Sequence, residues 1–396
     1  MEGTGYIDRV LLGLICPRAG QFRRGRLDLT LPGGAATTLG GAAPGPSAKL
    51  SILRNRVFWR LLSRGKLGFA ESYLDGDVSS DDLDALFAFM LANDEAIRGG
   101  TPSLLRPSRS DRRYHASREN SRAGSRRNIA AHYDLGNAFY RHWLDEGMTY
   151  SSGIFADTGD TLDQAQAAKY EAILKALEVR EAQSLLEIGC GWGGLLEAAA
   201  KRGIRATGIT ISKEQLAWTQ TRLQAGRLDS LASARFQDYR DTSGTWDRVA
   251  SIEMVEAVGE AYWQGYFDVI ASRLKPGGVA VIQAITIAEQ HFEEYRRTPD
   301  FIQRYIFPGG MLPTSSAMAR CAMASGLSFE PVLLFGSCYA RTLREWRARF
   351  NGAWPQIREL GFDERFRRMW DYYLAYCAAG FDRRAIDVGL YRFRKP

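Results

Sequence analysis

The stretch Leu185-Leu-Glu-Ile-Gly-Cys-Gly-Trp-Gly-Gly194 passes from an apolar run into three alternating glycines, and GLLEAAAKRG continues it as a helix. A strand that turns through Gly189, Gly191 and Gly193 into a helix lets the backbone pass close beneath a ligand, because glycine tolerates the required dihedrals. Alone, such a turn is shared with dinucleotide-binding enzymes. Outward from it the pattern alternates: IRATGITI, SKEQLAWTQTRLQAG, SARFQDY, DRVASIEM, EAYWQGYFDVIASRLKPGG and VAVIQAITI. Strands alternating with helices imply a doubly wound parallel sheet.

A nicotinamide site predicts an acid ending the second strand to hold a ribose, but that strand ends Gly208-Ile-Thr-Ile-Ser212. Glu187 and the GCGWGG spelling point instead to S-adenosylmethionine. LSFEPVLLFG and AIDVGLYRFR near the end read as a late pair of strands, one of them antiparallel. The expected fold is therefore a Rossmann-like, SAM-dependent methyltransferase α/β fold: a mostly parallel seven-stranded sheet with an antiparallel C-terminal strand, plus a small helical N-terminal domain.

The domains expected are a mainly helical, basic segment 1–99, a flexible basic linker 100–127 and a catalytic domain 128–396. Helices are predicted within LSILRNRVFWRLLSRG and, capped by Ser80, within DDLDALFAFMLAND. The linker GTPSLLRPSRSDRRYHASRENSRAGSRR is rich in Ser, Arg, Gly and Pro and poor in apolar residues. All of the net charge of +7 lies in residues 1–130, where 20 Lys and Arg face 13 Asp and Glu, against 32 of each beyond. Such a patch attracts phosphates of nucleic acid or anionic lipid. The five cysteines, Cys16, Cys190, Cys321, Cys338 and Cys377, are scattered without CxxC spacing, so no disulfide framework or metal site is expected, and a reducing compartment fits. No apolar run reaches the roughly 18 to 20 residues that span a bilayer, and no cleavable signal is read at the start.

Three further segments, His132-Tyr-Asp-Leu-Gly-Asn137, Thr210-Ile-Ser-Lys-Glu-Gln215 and Phe307-Pro-Gly-Gly-Met-Leu-Pro313, join the glycine turn in a fixed order. Together they make the chain resemble the cyclopropane-fatty-acyl-phospholipid synthase and mycolic acid methyltransferase family. The N-terminal GFAESYLDGD is similar to the helical domain of the longer, phospholipid-acting members. The resemblance implies methyl transfer to the cis double bond of an unsaturated acyl chain in a membrane phospholipid, then proton loss that closes a cyclopropane. The alternative is a methyl-branched product on the same chain. It implies S-adenosylmethionine held by Tyr150, Ser151, Glu187, Gly189, Gly191, Thr210, Gln215, Tyr239 and Arg240.

It also implies a bound bicarbonate as base, held by Glu256 and Tyr339 with a backbone contribution from Ile285. Two residues depart from the family pattern: Gln283 replaces a histidine and Ser152 a cysteine. Glutamine can hold an anion but carries no titrating charge. Cys377 matches a cysteine once proposed as nucleophile; alkene methylation needs no covalent enzyme intermediate, so it reads as a pocket-lining residue. His132 and Asp134 read as fixing a loop, and Phe301, Tyr305, Phe307 and Met311 as an acyl channel, with plain core packing equally compatible.

Expected partners are the unsaturated phospholipid and the anionic membrane surface, met by the basic segments 1–66 and 100–127. A homodimer is left open. The location expected is cytoplasmic, peripheral at the inner face of the membrane. A nucleic-acid methyltransferase is disfavoured because the loop after the fourth strand reads EMVEAVGE, not an NPPY-type loop. The intact glycine loop with Glu256 and Tyr339 argues against a non-catalytic scaffold.

Overall fold

The computed structural model describes residues 22–94, 124 and 135–396. The basic linker, with His132 and Asp134, lies almost wholly outside the described residues.

The first described unit corrects the helical expectation for its leading part. Strands β1 (Arg24–Thr30), β2 (Ala36–Gly40), β3 (Ala43–Ile52) and β4 (Val78–Ser79) form a sheet in the order β2-β1-β3-β4. The Gly, Ala and Pro of ATTLG and APGPSAKLSI hide these strands from a propensity reading. Their signal is the period-2 alternation of Leu27 and Leu29, both buried, with half-exposed Asp28 and Thr30. Helices α1 (Arg56–Leu74) and α2 (Leu83–Ala92) follow. The cap of α2 is Asp82, which accepts from the Ala85 amide at 3.0 Å; Ser80 instead donates to the Lys49 carbonyl.

The remaining helices are α3 (Asn137–Arg141), α4 (Leu162–Ala176), α5 (Gly194–Ala200), α6 (Lys213–Ala225), α7 (Val255–Val258), α8 (Trp263–Arg273), α9 (Glu289–Arg297), α10 (Ser315–Ala324), α11 (Gly336–Gly352), α12 (Trp354–Glu359) and α13 (Glu364–Asp382). Most of them pack around a second sheet of β5 (Ser184–Ile188), β6 (Arg205–Thr210), β7 (Ala232–Phe236), β8 (Trp246–Ile252), β9 (Leu274–Ile287), β10 (Glu330–Leu334) and β11 (Ile386–Arg394). Its order is β10-β11-β9-β8-β5-β6-β7, parallel from β9 to β7, with β11 antiparallel to β9 and β10 to β11. The sheet predicted from sequence is therefore present, its reversal between β5 and β8 opening a crevice at the strand C-termini.

The N-terminal unit is welded to the catalytic domain through α13. Phe87 meets Tyr372 edge-on at 4.9 Å, and the Tyr73 hydroxyl donates to Asp371 at 2.8 Å. Arg347 joins Asp84 and Asp371, each at 2.7 Å. Within the unit, fully buried Asp77 accepts from Arg56, Arg60 and Arg54. Part of the basic excess is thus neutralised internally. We expect Asp77→Ala to lower unfolding stability by about 1.5–3 kcal/mol, because a multiply hydrogen-bonded charged acceptor is lost. Equilibrium urea denaturation checks this.

Candidate active site

A cleft of about 760 Å³ opens over the C-terminal ends of β5, β6 and β8. One half is lined by the glycine turn, Glu187, Thr210, Gln215, Tyr239 and Arg240; the other by Ile285, Phe307, Met311, Tyr339, Tyr373, Tyr376, Cys377 and Phe381. Gly189, Gly191 and Gly193 all have positive φ, and a Cβ on Gly191 would project into open space. Glu187 is 2% exposed, and one of its carboxylate oxygens has no hydrogen-bond partner among the described residues. Its pKa is pushed up to about 8 by burial, with Lys169 and Arg222 opposing. A buried acceptor aimed at a glycine-walled cleft suits a ligand that brings donors or positive charge.

The neighbouring candidates are anchored from behind. Thr210 donates to Gln215 at 2.9 Å and accepts from the Ser212 amide. Arg240 pairs with Asp238 at 2.7 Å, with its guanidinium 5.4 Å from the Tyr239 ring. Tyr150 lies among Tyr140, Trp143 and Trp346, its hydroxyl 2.9 Å from that of Tyr373. Ser151 accepts from fully buried Lys169 at 2.7 Å. Burial lowers the Lys169 pKa to about 8, while Glu253, Asp145 and Glu187 oppose it. Sequence reading missed this lysine, which sits on α4 outside any recognised motif.

The second missed residue is Glu253, immediately after β8. Its carboxylate accepts from the Ser152 amide at 2.9 Å, Gln283 Nε2 at 2.7 Å and the Tyr339 hydroxyl at 2.6 Å. Its backbone has φ of 48°, a left-handed conformation that costs a residue other than glycine about 1–2 kcal/mol. Ser152 and Gln283 are fully buried behind it and do not line the cleft. Glu256 accepts from the Ile285 amide at 2.5 Å, and its other carboxylate oxygen has no partner among the described residues. Burial, then the Glu253 charge, pushes its pKa up to about 8. Glu253 is raised by burial too, but its three donors oppose that shift.

Cys377 lines the cleft, and burial holds its thiol far above the ordinary range, so it is no ready nucleophile. Phe307 and Met311 line the cleft as expected. Phe301 and Tyr305 do not: the first packs on Tyr372 at 4.6 Å and the second donates to Glu71 at 2.6 Å. Among the described residues no group of His, Cys, Asp and Glu could hold a metal ion.

A parallel sheet ending in a glycine-walled cleft, with a reversed C-terminal strand, defines the class: the protein is an S-adenosylmethionine-dependent methyltransferase. The sequence matches the family model described as mycolic acid cyclopropane synthetase over residues 120–390, and the chain belongs to that family. It is 38% identical over 371 residues to the tuberculostearic acid methyltransferase UfaA1 of Mycobacterium tuberculosis, covering 91% of this chain and 86% of that protein. It is 35% identical over 369 residues to the cyclopropane-fatty-acyl-phospholipid synthase of Escherichia coli, covering 90% and 89%. Among solved structures, mycolic acid cyclopropane synthase CmaA1 complexed with SAH and CTAB superposes with a TM-score of 0.64 at 30% identity, covering 68% of this chain and 98% of that one. The enzyme is thus a SAM-dependent C-methyltransferase acting on lipid unsaturations.

Glu187 and Glu256 both titrate higher folded than unfolded, so their stabilisation is complete below pH about 4.5 and is lost as pH rises through about 8. The ligand-free protein is expected to show a falling Tm between pH 5 and 8 from these two groups, with a shallower fall in Glu187→Gln. Thermal denaturation across pH, in buffers of matched ionic strength, reads it.

Proposed function

We propose that the enzyme adds a one-carbon unit to the cis double bond of an unsaturated acyl chain in a membrane phospholipid and closes a cyclopropane. The observation that carries this reading is the cleft itself, in which a ligand-ready glycine wall is continuous with an aromatic, apolar chamber containing two enclosed carboxylates. S-adenosylmethionine supplies an electrophilic methyl group. In this reading Glu187, the glycine turn, Thr210, Gln215, Tyr239 and Arg240 hold it, and Tyr150 and Ser151 close its reactive end. An aromatic face such as Tyr150 favours a nearby cation by about 0.5–2 kcal/mol. Methyl transfer leaves a cationic acyl chain, which Tyr339, Tyr373, Tyr376 and Phe381 shield from water until a proton is lost.

A second reading is favoured by the likeness to UfaA1, named as a methyltransferase, and by Gln283 at the histidine position: proton loss from a neighbouring carbon would leave a methyl branch and an alkene instead of a ring. Incubation with S-adenosylmethionine and vesicles of monounsaturated phosphatidylglycerol, followed by mass spectrometry and proton NMR of the acyl chains, tests both. Upfield ring protons support the synthase, and a new branch signal without them supports the second reading. No gain of a CH2 unit overturns both.

The same reading requires docking on a membrane, and no helix among the described residues is long and apolar enough to cross one. Trp59 is 75% exposed on α1, with Leu62 at 52% and Leu53 at 51% nearby in sequence. Lys66, at the end of that apolar stretch, lines the cleft. This placement supports insertion of the Trp59 and Leu62 side chains at the lipid surface, assisted by whichever basic residues are not ion-paired within the unit. The double variant Trp59→Ser, Leu62→Ser should bind anionic vesicles at least about tenfold more weakly, since each side chain contributes roughly 1.5–3 kcal/mol on burial. Sedimentation with sucrose-loaded vesicles measures the partition; unchanged binding sinks this docking face.

A further inference from the structure

The family resemblance calls for a bicarbonate cradled by Glu256, Tyr339, Gln283, Ser152 and the Ile285 backbone. The side chains present do not fit it. The donors of Tyr339 and Gln283, and the amide of Ser152, all converge on the carboxylate of Glu253. The Ile285 amide is taken by Glu256. An added anion would have to displace Glu253 and then lie against two carboxylates. The cradle is already filled by a carboxylate that the chain carries on its own backbone.

We propose that Glu253 is the catalytic base of this enzyme, in place of a dissociable bicarbonate. The proposal rests on the acyl-methylation reading above. Three donors stabilise charge on Glu253, whereas Glu256 has a single amide donor and an unpartnered oxygen. Of two carboxylates close together, the better-solvated one stays ionised and the other holds a proton. The step balances without a further reactant. The alkene π pair has bonded the incoming methyl carbon as the methyl–sulfur bond broke, its electron pair leaving with the neutral thioether, and a cation remains on the other alkene carbon. Glu253 takes a proton from the new methyl, and the released C–H pair closes the ring; taken from an adjacent carbon instead, the same pair forms an alkene. The proton remains on Glu253 until product leaves and solvent removes it.

The backbone at Glu253 makes the test clean. Its left-handed φ suits glycine, so Glu253→Gly removes the side chain without a conformational penalty and empties the cradle. Wild-type enzyme should keep its activity within about twofold in CO2-free buffer, and Glu253→Gln should fall by about 100-fold or more with no response to bicarbonate. Glu256→Gln, which mimics a protonated carboxyl, should fall less. Glu253→Gly should fall like Glu253→Gln and recover at least about tenfold when millimolar bicarbonate refills the site. A readout independent of turnover is the line width of 13C-bicarbonate, which should broaden with Glu253→Gly and not with wild type. Loss of wild-type activity without bicarbonate, full activity in Glu253→Gln, or bicarbonate binding to wild type each overturns the proposal. If wild type gives no acyl product under any condition, the proposed function fails, while the line-width comparison still decides whether Glu253 occupies the anion site.

Discussion

Keeping negative charge inside an apolar cleft is the constraint around which this site is organised. A carboxylate removed from water must be repaid by donors or give up its charge. Glu253 has its donors from three separate parts of the chain: the loop before α4, strand β9 and helix α11. Those contacts fix the end of β8 against β9 and draw α11 over the cleft. Glu187 meets the same constraint differently: burial outweighs the nearby Lys169 and Arg222 and pushes its pKa up to about 8, with one oxygen left for a ligand. The half of the cleft beyond these carboxylates is lined mainly by aromatic side chains, Phe307, Tyr339, Tyr373, Tyr376 and Phe381.

The sequence was most informative where chemistry demands particular residue types. The glycine turn, the Thr210 to Gln215 segment and the alternation of strands and helices located the cleft and its sheet. It was least informative where geometry alone decides. EMVEAVGE contains three glutamates, the first two three residues apart, and motif matching selected Glu256 because that position matches the family. Nothing in the letters shows that Glu253 takes a left-handed backbone or faces the donors of Gln283 and Tyr339, which lie 30 and 86 residues further along the chain. Lys169 was hidden for the same reason, being one lysine on an otherwise ordinary helix.

At the N-terminus the misreading had a different cause. Glycine, alanine and proline between residues 32 and 46 carry little strand propensity, yet a strand of a small sheet needs only one face buried, and Leu27, Leu29, Leu39 and Ala48 provide it. The basic excess was assigned to membrane docking because the resemblance implies a phospholipid substrate. Arg54, Arg56, Arg60 and Arg64 of that excess meet Asp77, Asp75 and Glu71, which the same segment supplies 7 to 23 residues later.

Helix α13 has two occupied faces. Tyr373, Tyr376, Cys377 and Gly380 line the cleft, while Asp371 and Tyr372 receive Tyr73 and Phe87 from the N-terminal unit. The N-terminal unit is therefore an outer buttress of the reaction chamber as well as a neighbour of it. Trimming it to obtain a minimal catalytic fragment would leave aromatic surface on α13 facing water and loosen one wall of the cleft.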